Sequence, residues 1–144
     1  MIKVIKDNDI IYAKIVRAGH NTGNTEFFTE KSDELQLGIV QYKKDYKTGA
    51  HYHNHLKTKT TKTDEILMFQ RGSARIDFYN DKGAYIKSAN ANTGDIVILY
   101  KGGHNIVYLE DTKLFMIKPG AYDPETDKTR IIGANNLELT IEND

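Results

Sequence analysis

The chain has no cysteine among its 144 residues. That excludes disulfides, thiolate metal ligands and a cysteine nucleophile together, so any metal must be held by nitrogen and oxygen. Net charge is also missing: 20 Lys and Arg balance 20 Asp and Glu. No long-range field draws the chain to nucleic acid or to anionic lipid, and the expected partner is a small molecule held locally. Long apolar runs are absent as well, the longest being about five residues against the roughly 20 that a membrane helix needs. The opening stretch MIKVIKDNDIIYAKIV scatters charges through what would be the apolar core of a secretory leader, and a cytoplasmic setting is expected.

What is present is short-period alternation. Hydrophobic residues make up 39% and charged residues 28%, a balance that places the chain among globular proteins rather than disordered ones. A chain of this length closes one core, and a single domain over residues 1–144 is expected. The apolar pattern has period two far more often than 3.6, and Gly, Asn and Asp close the runs. Strands are expected at 2–5, 10–16, 35–42, 51–56, 65–71, 74–79, 84–88, 96–100, 105–109, 113–118, 129–132 and 137–141. Ala74, Ile76 and Phe78 alternate with Arg75, Asp77 and Tyr79, the mark of a strand with one buried face. NDKG before Ala84 reads as a hairpin loop, TGD at Thr93–Asp95 as a turn, and LEDTK as a link between two further runs. EKSDEL at Glu30–Leu35 has room for one helical turn and LKTKTTKT at Leu56–Thr63 reads as a polar loop. Ten to twelve strands at this spacing point to an all-β sandwich or closed barrel.

Three of the five histidines stand at alternate positions in GAHYHNH. In a strand His51, His53 and His55 face one way, neighbours roughly 6.5–7 Å apart at the backbone and the outer two roughly 13 Å apart. A neighbouring pair can lean onto one ion; all three reach it with difficulty. If residues 56–63 return the chain as a hairpin, Glu65 comes to lie across from His53 on the same face. Glu65 precedes Ile66, Leu67 and Met68, where an ionised carboxylate is costly unless paired or bound to a cation. A fourth donor is His104, delivered by the Gly102–Gly103 turn. Nitrogen and carboxylate donors of this kind suit Fe, Mn, Ni, Zn or Cu as a divalent ion. The competing reading is a polar strand end whose histidines meet only water, with Glu65 on Lys57 or Lys59 in a weak surface ion pair. His20 reads as a loop residue without a role.

The order His51-x-His53, Glu65, six residues, Gly72, then Gly94-Asp95 and Gly103-His104 resembles the two motifs of the cupin superfamily. The resemblance implies a double-stranded β-helix (jelly-roll barrel) with a metal held by His51, His53, Glu65 and His104, and leaves His55 outside the ligand set. Eleven residues separate His53 from Glu65, against the common three or four. FFT at Phe27–Thr29, LQLG, TDEILMFQRGSARIDFYND, GDIVILYKGGH and LEDTKLFMIKPGAYDPETDKTR look like a subgroup of small bacterial cupins with a similar insertion, found with surface-polysaccharide and sugar-nucleotide genes. Asn105 stands where that subgroup has glycine.

Three functions follow from the resemblance. One is a metal-dependent protein acting on a small polar metabolite, a sugar, sugar acid or activated sugar. Another is a metal-free sugar-nucleotide keto-isomerase or epimerase, with His51 or His53 as the base. The third is a binding module without turnover. A homodimer is expected on the same analogy.

Overall fold

The computed structural model describes residues 1–23, 25–47, 50–51, 64–119 and 129–131. The chain divides into two compact units, one formed by Met1–His20 with Thr63–Asp144 and the other by Asn21–Lys62. Ten strands run through the described residues: β1 Ile2–Asp7, β2 Ile10–Val16, β3 Thr25–Phe27, β4 Gly38–Val40, β5 Glu65–Arg71, β6 Ser73–Tyr79, β7 Tyr85–Asn92, β8 Ile96–Leu99, β9 Gly103–Tyr108 and β10 Lys113–Ile117. Among them there is no helix, and the all-β expectation holds. No helix in the described residues is long and apolar enough to cross a membrane.

The first unit contains a five-stranded sheet in the order β1-β2-β8-β5-β10 and a three-stranded sheet in the order β7-β6-β9. Every pairing is antiparallel. Alternation decides which face each residue takes. Leu67 and Phe69 of β5, Val97 and Leu99 of β8, Ala13 and Ile15 of β2 and Ile5 of β1 share one core with Ala74, Ile76 and Phe78 of β6 and Ala89 and Ala91 of β7. The two sheets thus pack their inner faces together, and Ile106 of β9 and Leu114 of β10 close the margin of that core.

The expected punctuation is where the chain turns. Asn80 carries the β6–β7 hairpin: Gly83 N donates to its carbonyl at 2.9 Å, and its side-chain oxygen accepts from Lys82 N and Ala84 N at 3.0 Å. The TGD turn is held by Asp95, a buried carboxylate that accepts from Asn92 N at 3.0 Å, from Ala18 N at 3.0 Å and from Arg17 Nη1 at 2.8 Å. One aspartate therefore ties the entry to β8 to the exit of β2. The Arg17 guanidinium keeps that charge paired where burial would otherwise be costly.

In the second unit β3 and β4 form a short antiparallel pair, with Glu26 opposite Ile39. The expected strand 35–42 shrinks to three residues, and β3 was not foreseen. The stretch Glu30–Leu35 makes turns and bends rather than a helical turn. Asp33 explains this: its side chain accepts from Glu30 N at 2.8 Å while its own N–H donates to the Glu30 carbonyl at 2.9 Å, a local closure that competes with helix. Residues 129–131, expected as the start of a strand, take no regular structure. The expected strand at 137–141 lies outside the described residues, as does all of 51–56 except His51.

Candidate functional site

Glu65 opens β5 on the parity of Leu67 and Phe69, so its side chain faces inward with the core residues. His104, second in β9, shares the parity of Ile106 and pairs with Phe78. Its placement depends on the turn before it. Gly102 has φ +72°, and a Cβ there would overlap the Tyr79 carbonyl oxygen and come within 2.9 Å of the Tyr12 ring. Only glycine fits so tight a passage. The turn brings an imidazole from the three-stranded sheet to a carboxylate from the five-stranded sheet, with His104 Nε2 3.5 Å from Glu65 Oε2.

A third group enters that sequence reading missed. Lys118 follows β10, and its Nζ lies 3.9 Å from Glu65 Oε1. Its side chain is 8% exposed, against 13% for Glu65 and 32% for His104. The two carboxylate oxygens are thus divided, one toward an imidazole and one toward an ammonium. The signal for Lys118 was present: it shares the parity of Leu114, which packs against the core, and the register Ile66↔Ile117 puts it next to Glu65. What hid it was the neighbour relation. β5 lies between β8 and β10, and the residue across from Glu65 in the described ladder is Leu99; the expected partner His53 lies outside the described residues. The cation beside Glu65 in the described residues is Lys118, not Lys57 or Lys59, which lie outside them.

Of the four expected ligands, then, Glu65 and His104 are brought together. His51 is exposed and belongs to the second unit. His53 and His55 lie outside the described residues, among which no group of three or more His, Asp and Glu gathers. The two that meet fit an ion. Donors bound at about 2.1 Å to a tetrahedral centre stand about 3.4 Å apart, and 3.5 Å separates these two. That gap exceeds the roughly 2.7–3.2 Å of an N–H···O hydrogen bond. Imidazole and carboxylate together are the donor set of a borderline divalent metal.

The outer face of the three-stranded sheet explains why β9 holds its orientation. Asp77 is buried there and accepts from Arg75 Nε at 2.8 Å, from Ser88 Oγ at 2.6 Å and from Asn105 Nδ2 at 3.3 Å. The Tyr85 hydroxyl lies 3.0 Å from Ser88 Oγ. Asn105 therefore points outward to a fixed carboxylate while His104 beside it takes the opposite parity. Burial raises the Tyr79 hydroxyl above its ordinary pKa of 10.0, the charges of Asp77 and Tyr85 add to that, and Arg75 opposes it.

The architecture defines an all-β protein of antiparallel sheets with a charged cluster at one end of its core. No family model matches the chain, and no curated protein or solved structure matches it either.

Proposed function

We propose that the chain is a metal-binding cupin, a double-stranded β-helix that acts on a small polar metabolite, a sugar or activated sugar of surface-polysaccharide metabolism. The observation that supports it is the approach of Glu65 and His104 from two different sheets to 3.5 Å. An acid and an imidazole so placed on one parity suit joint ligation of one divalent cation. Such an ion, when bound, supplies Lewis acidity toward a carbonyl or a pair of hydroxyls. The chain's own part is to hold the donors on rigid strands, to fix His104 through the Gly102 turn, and to limit water at Glu65.

One observation favours a second reading. The Lys118 ammonium beside Glu65 suits a metal-free isomerase, in which His104 removes the proton alpha to a ketone and Lys118 stabilises the enolate oxygen until that proton is returned.

Elemental analysis after reconstitution with Fe(II), Mn(II), Ni(II), Zn(II) and Cu(II) separates the two. The metal reading expects about one equivalent retained by the wild type and by His55→Ala, and loss of the ion in Glu65→Gln and His104→Ala. A folded wild type that retains none of the five sinks it. The second reading then stands only if the metal-free protein incorporates deuterium next to the ketone of a nucleotide-linked 4-keto sugar.

A further inference from the structure

The second unit carries aromatic surface that the ion-site reading leaves unused. Tyr42 and Tyr46 lie with their ring centroids 4.0 Å apart and their planes 8° from parallel, yet Tyr42 is 43% and Tyr46 56% exposed. The two inner faces cover each other, so the exposure falls on the outer faces and edges of the stack. The backbone builds this arrangement. After Tyr42 the chain turns through residues 43–46, where Tyr46 N donates to the Lys43 carbonyl at 3.3 Å and Asp45 takes φ +68°, a left-handed conformation that aspartate tolerates. The turn returns the second ring over the first, and the Tyr42 hydroxyl lies 3.0 Å from Thr25 Oγ1 at the start of β3. No flat ligand enters between the rings, because a ring held there needs about twice the 4.0 Å that separates them. A third ring adds to the outside of the stack instead. Lys43, Lys44 and Lys47 are exposed in the same stretch, three ammoniums against the single carboxylate of Asp45, in a chain whose net charge is zero. Among the described residues none of these three lysines is drawn into an ion pair.

We propose that the stacked tyrosines and the lysines around them bind a nucleoside diphosphate, with the base on the stack and the phosphates on the ammoniums. Each half of this surface calls for one half of such a ligand. An aromatic face with an open outer side takes a base whatever its hydrogen-bonding edge. Lysine ammoniums on flexible stems take phosphates as point charges. A neutral sugar leaves the lysines unused, and inorganic phosphate leaves the rings unused. A long nucleic acid is disfavoured by the balanced charge of the whole chain. The proposal goes beyond the ion-site reading and does not rest on it, since Glu65 and His104 take no part.

The test is equilibrium dialysis of the full chain against UDP, uridine and pyrophosphate in EDTA, so that no ion recruits the phosphates. The wild type is expected to bind UDP at least about tenfold more tightly than uridine, which lacks the charge, or pyrophosphate, which lacks the ring. Tyr46→Ala is expected to weaken UDP binding about tenfold, and Tyr46→Phe, which keeps the ring, to hold it within about twofold. The triple variant Lys43→Gln, Lys44→Gln, Lys47→Gln is expected to weaken UDP about tenfold and to leave uridine unchanged. Glu65→Gln and His104→Ala are expected to bind UDP as the wild type does. A folded wild type that binds no UDP at millimolar concentration overturns the proposal, as does equal UDP affinity in the wild type and either Tyr46→Ala or the triple lysine variant. Loss of UDP binding in His104→Ala with its retention in Tyr46→Ala overturns it too, because the diphosphate then sits elsewhere. Single-stranded oligo(dT) bound far more tightly than UDP also overturns it, the occupant then being a nucleic acid. Circular dichroism establishes folding, and the exposed lysine positions keep the test decisive should Tyr46→Ala fail to fold. Cobalt(II), the probe ion for Glu65 and His104, is dialysed against the same chains without EDTA and reports on the ion-site reading alone, so the two readings fail separately.

Discussion

At the scale of single residues the molecule shows two ways of keeping charge under cover. Asp77 and Asp95 are buried and each is satisfied by several donors, so both act as staples between elements. Glu65 is different, because its oxygens stand farther from their charged neighbours, 3.5 Å from His104 Nε2 and 3.9 Å from Lys118 Nζ. Tyr79 carries a measurable consequence of the first arrangement. Its folded-state pKa is raised above 10.0, chiefly by burial, so the native state holds that proton more tightly than the unfolded chain does. The associated stability is fully present below pH 10 and is lost as pH rises through the folded-state value. Tyr79→Phe removes the titration. Denaturant unfolding from pH 8 to 11.5 is expected to show the wild type losing stability above about pH 10 more steeply than the variant, by up to about 1.4 kcal/mol per pH unit. Parallel curves above pH 10 would show that the Tyr79 hydroxyl is not so shielded.

At the scale of elements, the turn glycines divide by what surrounds them. Gly83 and Gly102 both have positive φ, at 77° and 72°. A Cβ at Gly83 finds its nearest neighbour at 3.3 Å, the Ile131 Cγ2 methyl, whereas at Gly102 it overlaps the Tyr79 backbone. Gly83→Ala therefore meets the left-handed conformation and a slight side-chain crowding, a cost of about 1–2 kcal/mol, while Gly102→Ala adds a backbone clash and is expected to cost well over about 2 kcal/mol. Urea denaturation measures both costs. Cobalt retention is expected to survive in Gly83→Ala and to fail in Gly102→Ala, since the latter turn aims His104. The same contrast marks what was legible in the sequence. Alternation is a local property, so β2 and β5 were placed to the residue, and β6, β8 and β10 to within one. Turn residues were legible because Asn80 and Asp95 each bond backbone groups a few positions away, Lys82 and Ala84 for the one and Asn92 for the other, whereas the bonds of Asp95 to Ala18 and Arg17 were not. Strand neighbours are not local: nothing near Glu65 in sequence says that β8 and β10 flank it, and Lys118 stayed hidden for that reason. The three-residue strand Thr25–Phe27 was too short and too polar for any period to register.

At the scale of the whole first unit, the candidate site belongs to neither sheet. Glu65 and Lys118 come with the five-stranded sheet and His104 comes with the three-stranded one, so their separation is set by the core between the sheets. Phe78 is the link, because it is buried in that core and pairs directly with His104 across the β6–β9 ladder. Phe78→Ala leaves a cavity next to the imidazole's anchoring strand and is expected to cost about 3–5 kcal/mol. Ile15→Ala empties the same core two strands away from Glu65, beside Val97, at a comparable cost of about 2–5 kcal/mol. If the site needed only a stable fold, both variants would weaken ion binding alike. If it needs the sheets held at the right separation beneath His104, Phe78→Ala alone weakens it. Cobalt dialysis at low temperature, where both variants are folded by circular dichroism, is expected to give wild-type affinity for Ile15→Ala and at least about tenfold weaker binding for Phe78→Ala, because a ligand displaced by about an ångström loses much of its bond. Wild-type affinity in Phe78→Ala would mean that the turn at Gly102 places the imidazole by itself, and that the core contributes nothing to the site beyond stability.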